Sequence, residues 1–281
     1  MNILVVGLGL IGGSFCKALS SRTENGIFGY DINEKPIEMA VRDRAIKKAL
    51  APEEFEKADL VLICLPPKIA MDFFEENAQR FKKGTIIADV CGVKNMVSKT
   101  METAALKNGL RYVGTHPMAG REFGGYKYAL ENLYDNRSFI VTPTENTDKE
   151  ALETVKDLAR AVGFKKIVES TPAAHDRTIA YTSQLAHVVS SAYVKSPSIQ
   201  KESGFTAGSF QDMTRIATLN ENMWTDLFMQ NREALLYELD TLIENLGKYR
   251  SALSESDAQT MTELLREGRM IKEKDLSEYS K

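Results

Sequence analysis

The sequence predicts an α/β protein, with a doubly wound parallel sheet over residues 1–170 and an all-α domain over residues 171–281. Three observations predict it. Short β-rich apolar runs alternate with amphipathic stretches through the first part of the chain, as crossover helices between parallel strands require. A glycine cluster lies between the first apolar run and a helix-forming stretch, and a carboxylate closes the second run. After Thr171-Pro172 the strand signals stop and the remaining segments carry helical spacing.

The elements follow in order. Strands are expected over residues 3–6, 26–30, 60–65, 85–89, 111–115, 139–142 and 166–169. Pro66-Pro67 stops the third of them abruptly. The first helix is expected over 14–20, and Pro172 suits the first turn of a long helix reaching about Lys195. Residues 220–248 carry Met223, Trp224, Leu227, Phe228, Ala234, Leu235, Leu239, Leu242, Ile243 and Leu246 at helical spacing. A helical domain of this size has few elements to cover so wide a stripe, so part of it is expected to face a second copy of the chain. Residues 254–281 are heavily charged and read as a surface helix with a loose end.

Composition narrows the function classes. The chain has 281 residues, 43% hydrophobic and 27% charged, enough for two domains. A formal net charge of -3 without basic blocks argues against nucleic acid. No apolar stretch is long enough for a membrane span. Four glycines interrupt the N-terminal apolar run, which argues against a signal peptide. Cys16, Cys64 and Cys91 are odd in number and lie in or beside apolar segments, which suits reduced thiols in a cytoplasm; none has metal-ligand spacing to another, and no metal is expected.

The glycine cluster is Gly7-Leu8-Gly9-Leu10-Ile11-Gly12. Its spacing after a strand and before a helix is that of a Rossmann-type dinucleotide site. Gly7 allows the turn off the strand, Gly9 lets backbone approach a pyrophosphate, and Gly12 lets the helix lie close to the sheet. Asp31, ending the second strand, can accept from both hydroxyls of an adenosine ribose and would repel a 2′-phosphate, so NAD is expected rather than NADP. Leu65, Pro66 and Asp89, at the ends of the next two strands, complete the expected cofactor-binding set.

Catalytic candidates lie at strand ends and near the domain junction. The three histidines are His116, His175 and His187. His116 is placed in the loop His116-Pro117-Met118-Ala119-Gly120 at the carboxyl edge of the sheet, where ligands bind. Gly92, in Asp89-Val90-Cys91-Gly92-Val93-Lys94, should lie alongside. The helical region adds His187, after Ser183-Gln184, and the run Gly208-Ser209-Phe210-Gln211-Asp212-Met213-Thr214-Arg215. Arg215 suits a carboxylated substrate, although a salt bridge to Asp212 on one helix face is the plainer reading of spacing alone. His187 alone would more often be a hydrogen-bonded interdomain residue, and His175-Asp176, in the first turn of the long helix, could simply brace the hinge.

Taken in order, these stretches resemble the prephenate dehydrogenase family, including its arogenate-using relatives, over nearly the whole chain. The residues that carry the resemblance are 7–14, 89–94, Thr115-His116-Pro117-Met118-Ala119-Gly120, His175-Asp176, 183–187 and 208–217, of which the His-Pro-Met-Ala-Gly and Thr-Arg-Ile-Ala stretches are the specific ones. The resemblance implies NAD-dependent oxidative decarboxylation of prephenate to 4-hydroxyphenylpyruvate, in tyrosine biosynthesis. It implies that His116 engages the substrate ring hydroxyl, that Arg215 binds a substrate carboxylate and that His187 helps hold the side chain. It places Gly92, Gly208 and Asp212 in the substrate site and makes the helical domain a homodimerisation domain. Many relatives carry a serine at Gly92 that orients the catalytic histidine; here water, backbone or another residue must do so. No regulatory extension is expected, so any inhibition by tyrosine would act at or near the active site. Arg121, beside His116, is a positive charge without an assigned role. Arogenate differs from prephenate by one amino group, which spacing does not resolve. A β-hydroxy-acid dehydrogenase would be expected to use an interdomain lysine, and the first interdomain helix offers Lys195 only at its far end. A non-catalytic NAD sensor would need neither His116 nor Arg215.

Overall fold

A computed structural model describes residues 1–121, 123–201 and 204–279. Its elements run β1 (Asn2–Val6), α1 (Leu10–Arg22), β2 (Gly26–Tyr30), α2 (Glu34–Arg42), β3 (Lys48–Ala49), β4 (Leu60–Ile63), α3 (Pro67–Asn77), β5 (Ile86–Asp89), α4 (Asn95–Lys107), β6 (Arg111–Pro117), β7 (Ser138–Thr142), α5 (Lys149–Ala161) and β8 (Lys166–Glu169). Helices follow: α6 (Pro172–Ile179), α7 (Ala186–Tyr193), α8 (Gly208–Thr214), α9 (Glu221–Gln230), α10 (Arg232–Ser254) and α11 (Ala258–Tyr279). A π-helical turn, Ala180–Leu185, joins α6 to α7.

Eight strands form one sheet in the order β3-β2-β1-β4-β5-β6-β7-β8. Successive residues of the central strands are buried on opposite faces of the sheet and divide the core in two. Ile3, Val5, Leu60, Leu62, Ile86 and Ala88 join one cluster, while Leu4, Val6, Val61, Ile63 and Ile87 join the other. A sheet covered on both faces needs such continuous apolar runs.

Two departures from the expected sheet bear on function. The pair Lys48–Ala49 adds a short edge strand beside β2, too short for a periodicity signal. The sheet is also not wholly parallel, because β7 runs antiparallel to β6. That pairing extends β6 to Pro117, so His116 lies on the strand opposite Ile140 rather than in the following loop. Backbone continues the ladder, with Met118 N–H donating to the Ser138 carbonyl at 2.9 Å.

The chain packs as two compact units, Met1–Arg232 and Glu233–Lys281. The first contains the sheet and α6 to α9. In the second, α10 and α11 form a helical hairpin: Ser256 takes φ 55°, Asp257 accepts from Thr260 N–H at 2.9 Å to cap α11, and Tyr249 donates to the Leu264 carbonyl at 3.3 Å. The long stripe over 220–248 is broken at Asn231, which ends α9. Trp224, Leu227 and Phe228 are partly buried in the first unit, whereas Ile243 and Leu246 are exposed. Among the described residues no helix is long and apolar enough to cross a membrane.

Candidate active site

The glycine turn has the geometry a dinucleotide needs. Gly7 sits at φ 86°, and a Cβ there would fall 2.6 Å from the Cys64 carbonyl oxygen. At Gly12 a Cβ would fall 2.0 Å from the Gly7 carbonyl oxygen, so only glycine permits this approach of α1 to the turn. A Cβ at Gly9 would meet nothing within 4 Å, leaving open space over the backbone. No side chain caps α1, whose N-terminal N–H groups face that space. Asp31 accepts from Leu8 N–H at 2.8 Å and from Asn33 N–H at 2.8 Å. The Asn33 side-chain amide also donates to it at 3.2 Å; a carboxylate has about four acceptor positions, so capacity remains on Oδ2 for a ribose hydroxyl. The backbone cradle, the uncapped helix and the carboxylate fit NAD. Leu10 and Ile11 open α1, Leu65 is partly buried and Pro66 is exposed just before α3.

Asp89 is placed differently from expectation. Its side chain is fully buried beneath the strand ends, where its carboxylate accepts from the Lys94 ammonium, from Cys91 N–H at 2.8 Å and from Tyr112 Oη at 2.6 Å. These bonds commit its carboxylate to supporting the crevice floor. Lys94, equally buried, also donates to the Thr115 carbonyl at 2.6 Å, next to His116.

Around His116 the structure brings together residues from five segments. A Cβ built on Gly92 would lie 3.8 Å from His116 Nε2 and 3.5 Å from Leu227 Cδ2. On the other side of the ring, His116 Nδ1 lies 2.9 Å from His175 Nε2. His175 Nδ1 lies 2.7 Å from Asp176 Oδ1, and the Asp176 carboxylate accepts from the backbone N–H groups of Lys94 at 2.7 Å and Asn95 at 2.8 Å, capping α4 from another segment. Asn231 donates to the Asp176 carbonyl at 2.9 Å and to Gln184 Oε1 at 2.7 Å. Burial first, then His175 and the Lys94 ammonium, hold the His116 pKa well below the ordinary imidazole value.

The π-helical turn lies just before His187, whose Nδ1 is 2.9 Å from the Ser183 carbonyl oxygen. A carbonyl only accepts, so Nδ1 carries the proton and Nε2 offers a lone pair. The ring stacks on Trp224 with centroids 3.8 Å apart. Burial lowers the His187 pKa, the hydrogen bond to the Ser183 carbonyl opposes it, and the Arg215 charge lowers it further. Arg215 opens the short turn after α8, and α7 packs against both. Gly208 and Asp212 are exposed on α8, and Arg121 is exposed after β6. Among the described residues no group of three or more His, Cys, Asp or Glu side chains is placed to hold a metal ion.

Residues 15–168 match the family model for the prephenate dehydrogenase nucleotide-binding domain, and residues 171–267 match the model for the prephenate dehydrogenase dimerization domain. The chain belongs to the prephenate dehydrogenase family. Within this family it is 31% identical to the prephenate dehydrogenase of Bacillus subtilis, over 92% of this chain and 72% of that protein. It is 32% identical to the cyclohexadienyl dehydrogenase of Zymomonas mobilis, over 95% of this chain and 93% of that one. Its fold superposes with a TM-score of 0.85 on a crystal structure of Aquifex aeolicus prephenate dehydrogenase in complex with hydroxyphenyl propionate and NAD+, at 30% identity and covering 98% of each chain.

Proposed function

We propose that this family member oxidises prephenate with NAD, and that His116 is the base that takes the ring-hydroxyl proton. The reaction is an oxidative decarboxylation to 4-hydroxyphenylpyruvate. The observation that carries the reading is a histidine at the carboxyl edge of a dinucleotide-binding sheet, with its Nε2 on the side of Gly92 and its Nδ1 against His175, its pKa lowered by burial, by His175 and by Lys94.

NAD, when bound, supplies the acceptor for the hydride that leaves the hydroxyl-bearing ring carbon. His116 Nε2 accepts the hydroxyl proton as the carbonyl character of that carbon develops. The ring carboxylate leaves as carbon dioxide, its bonding electrons enter the ring and pass onto the oxygen, that oxygen takes the proton back from His116 to give the phenol, and aromatisation makes the step effectively irreversible. A strong acid at this position would instead protonate the hydroxyl and expel water. Burial beside the Lys94 ammonium keeps His116 in the base form. General-base assistance of this kind contributes about 10²–10⁴-fold.

Arg215 pairs with a substrate carboxylate and His187 holds the side chain, with Gly208 and Asp212 lining the approach. Gly7 to Gly12, Asp31, Leu65 and Pro66 hold the dinucleotide, and the Asp31 charge disfavours a 2′-phosphate. The functional boundary is drawn at residues 170/171, a division supported by the end of β8 at Glu169 and by the spans of the two family models. The match to a dimerization domain and the exposed Leu236, Ile243, Leu246, Leu253 and Leu265 support a homodimer formed through α10 and α11. The free thiols of Cys16, Cys64 and Cys91 support a cytoplasmic location.

The test is NADH formation from NAD and prephenate, with arogenate and NADP run in parallel. Turnover of prephenate with NAD is expected. Preference for arogenate would keep the mechanism and change the substrate, and silence with both would overturn the reading.

A further inference from the structure

We propose that Asp176 and His175 form a positioning relay that fixes the tautomer of His116, holding its proton on Nδ1 and its lone pair on Nε2, on the Gly92 side. This rests on His116 being the base of the proposed reaction and supplies what a glycine at position 92 cannot.

Three N–H groups converge on Asp176: the backbone of Lys94, the backbone of Asn95 and His175 Nδ1. The Asp176 carboxylate is an acceptor in all three contacts, so His175 Nδ1 carries the proton. The His175 side chain is fully buried. A neutral ring has one donor and one acceptor nitrogen, so its Nε2 is the acceptor. That atom faces His116 Nδ1 at 2.9 Å, and two lone pairs cannot share such a contact. His116 Nδ1 must therefore be the donor, leaving Nε2 bare.

The alternative state is a doubly protonated His175, which would donate from Nε2 and leave the His116 proton on Nε2. It would bury a cation whose facing groups are Asp176 on one side and His116 on the other, with the Lys94 ammonium, itself paired to Asp89, behind His116. Asp176 is held independently of the histidines: it caps α4, and Asn231 anchors its carbonyl at 2.9 Å. Such anchoring suits a group that must direct a ring rather than follow it. When His116 Nε2 takes the substrate proton, the relay leaves the ring oriented, and His175 Nε2 stabilises the imidazolium by accepting from its Nδ1. In a serine-protease triad, loss of the equivalent tautomer control costs on the order of 10⁴ in kcat.

The chain contains only three histidines, so long-range ¹H–¹⁵N correlation of ¹⁵N-histidine-labelled enzyme near neutral pH reads each tautomer directly. His116 and His175 are expected with a protonated Nδ1 and a bare Nε2. A His116 signal with the proton on Nε2 overturns the proposal. This readout does not depend on which substrate is turned over, so it separates failure of the relay from failure of the proposed activity. Kinetics supply the second arm. His175→Leu is expected to lower kcat by roughly 10–10³-fold while leaving NADH affinity and the KM for prephenate within about threefold. His175→Gln, whose Oε1 can accept from His116 Nδ1, is expected to recover most of the loss. Equal loss in both variants, or no loss in His175→Leu, contradicts the relay. If His175→Leu does not fold, the spectra of the wild type and His175→Gln still decide.

Discussion

Replacing Lys94 by methionine removes one partner of an ion pair in which both side chains are fully buried. In the variant, Asp89 keeps Cys91 N–H and Tyr112 Oη but loses its only cation among the contacts described, while the Thr115 carbonyl loses its donor at 2.6 Å. Breaking a buried pair by removing one partner costs about 3–5 kcal/mol, because the remaining charge has neither water nor a counterion. For a unit the size of Met1–Arg232, 1 kcal/mol corresponds to about 2–4 °C in Tm, so the expected fall is about 6–20 °C. Scanning calorimetry and urea unfolding at neutral pH measure it. Asp89→Asn combined with Lys94→Met leaves no unpaired charge and should be more stable than Lys94→Met alone. A loss under about 1 kcal/mol in Lys94→Met, or losses that simply add in the double variant, would refute the reasoning.

Gly12→Ala drives a Cβ to within 2.0 Å of the Gly7 carbonyl oxygen, an overpacking that typically costs about 1–3 kcal/mol. Calorimetric titration should show NADH binding at least about tenfold weaker, equivalent to about 1.4 kcal/mol; unchanged affinity would contradict the cradle. Arg215→Ala should raise KM for prephenate by roughly tenfold or more with a smaller change in kcat, through loss of a charge-assisted pair; an unchanged KM would remove Arg215 from the site. His116 and His187 have folded pKa values below the ordinary 6.5, so between the folded and unfolded values the unfolded chain binds more protons. Their contribution to stability is therefore present above about pH 6.5 and lost as pH falls toward the folded values. Urea midpoints at pH 7.5 and 5.5 should show that fall, smaller in His116→Asn, and the acid limb of kcat/KM should lie below pH 6.5.

Much of the sheet is legible in the sequence because a parallel strand buried on both faces must be apolar at successive positions, as Ile3 to Val6 are. The glycine turn is legible for a similar reason: at Gly7 and Gly12 there is no room for a side chain. Less visible is what depends on pairing across long separations. The antiparallel β7, which carries His116 onto a strand, leaves no trace in local periodicity. Asp89 reads as a strand-end ligand until Lys94 and Tyr112 are found against it. His175-Asp176 reads as a hinge brace, and its contact with His116 spans 59 residues of sequence. Trp224 reads as one member of an apolar stripe, yet it stacks on His187. Asn231 is the one local signal that points to this part of the site, because a buried amide interrupting an apolar helix must have partners.

The most direct test of the central claim is His116→Asn, assayed for NADH formation from prephenate alongside NADH affinity. With His116 as the base, kcat is expected to fall by roughly 10²–10⁴-fold while the dinucleotide binds as in the wild type. Retention of turnover, or a loss of binding that matches the loss of turnover, would contradict the assignment of His116 as the base.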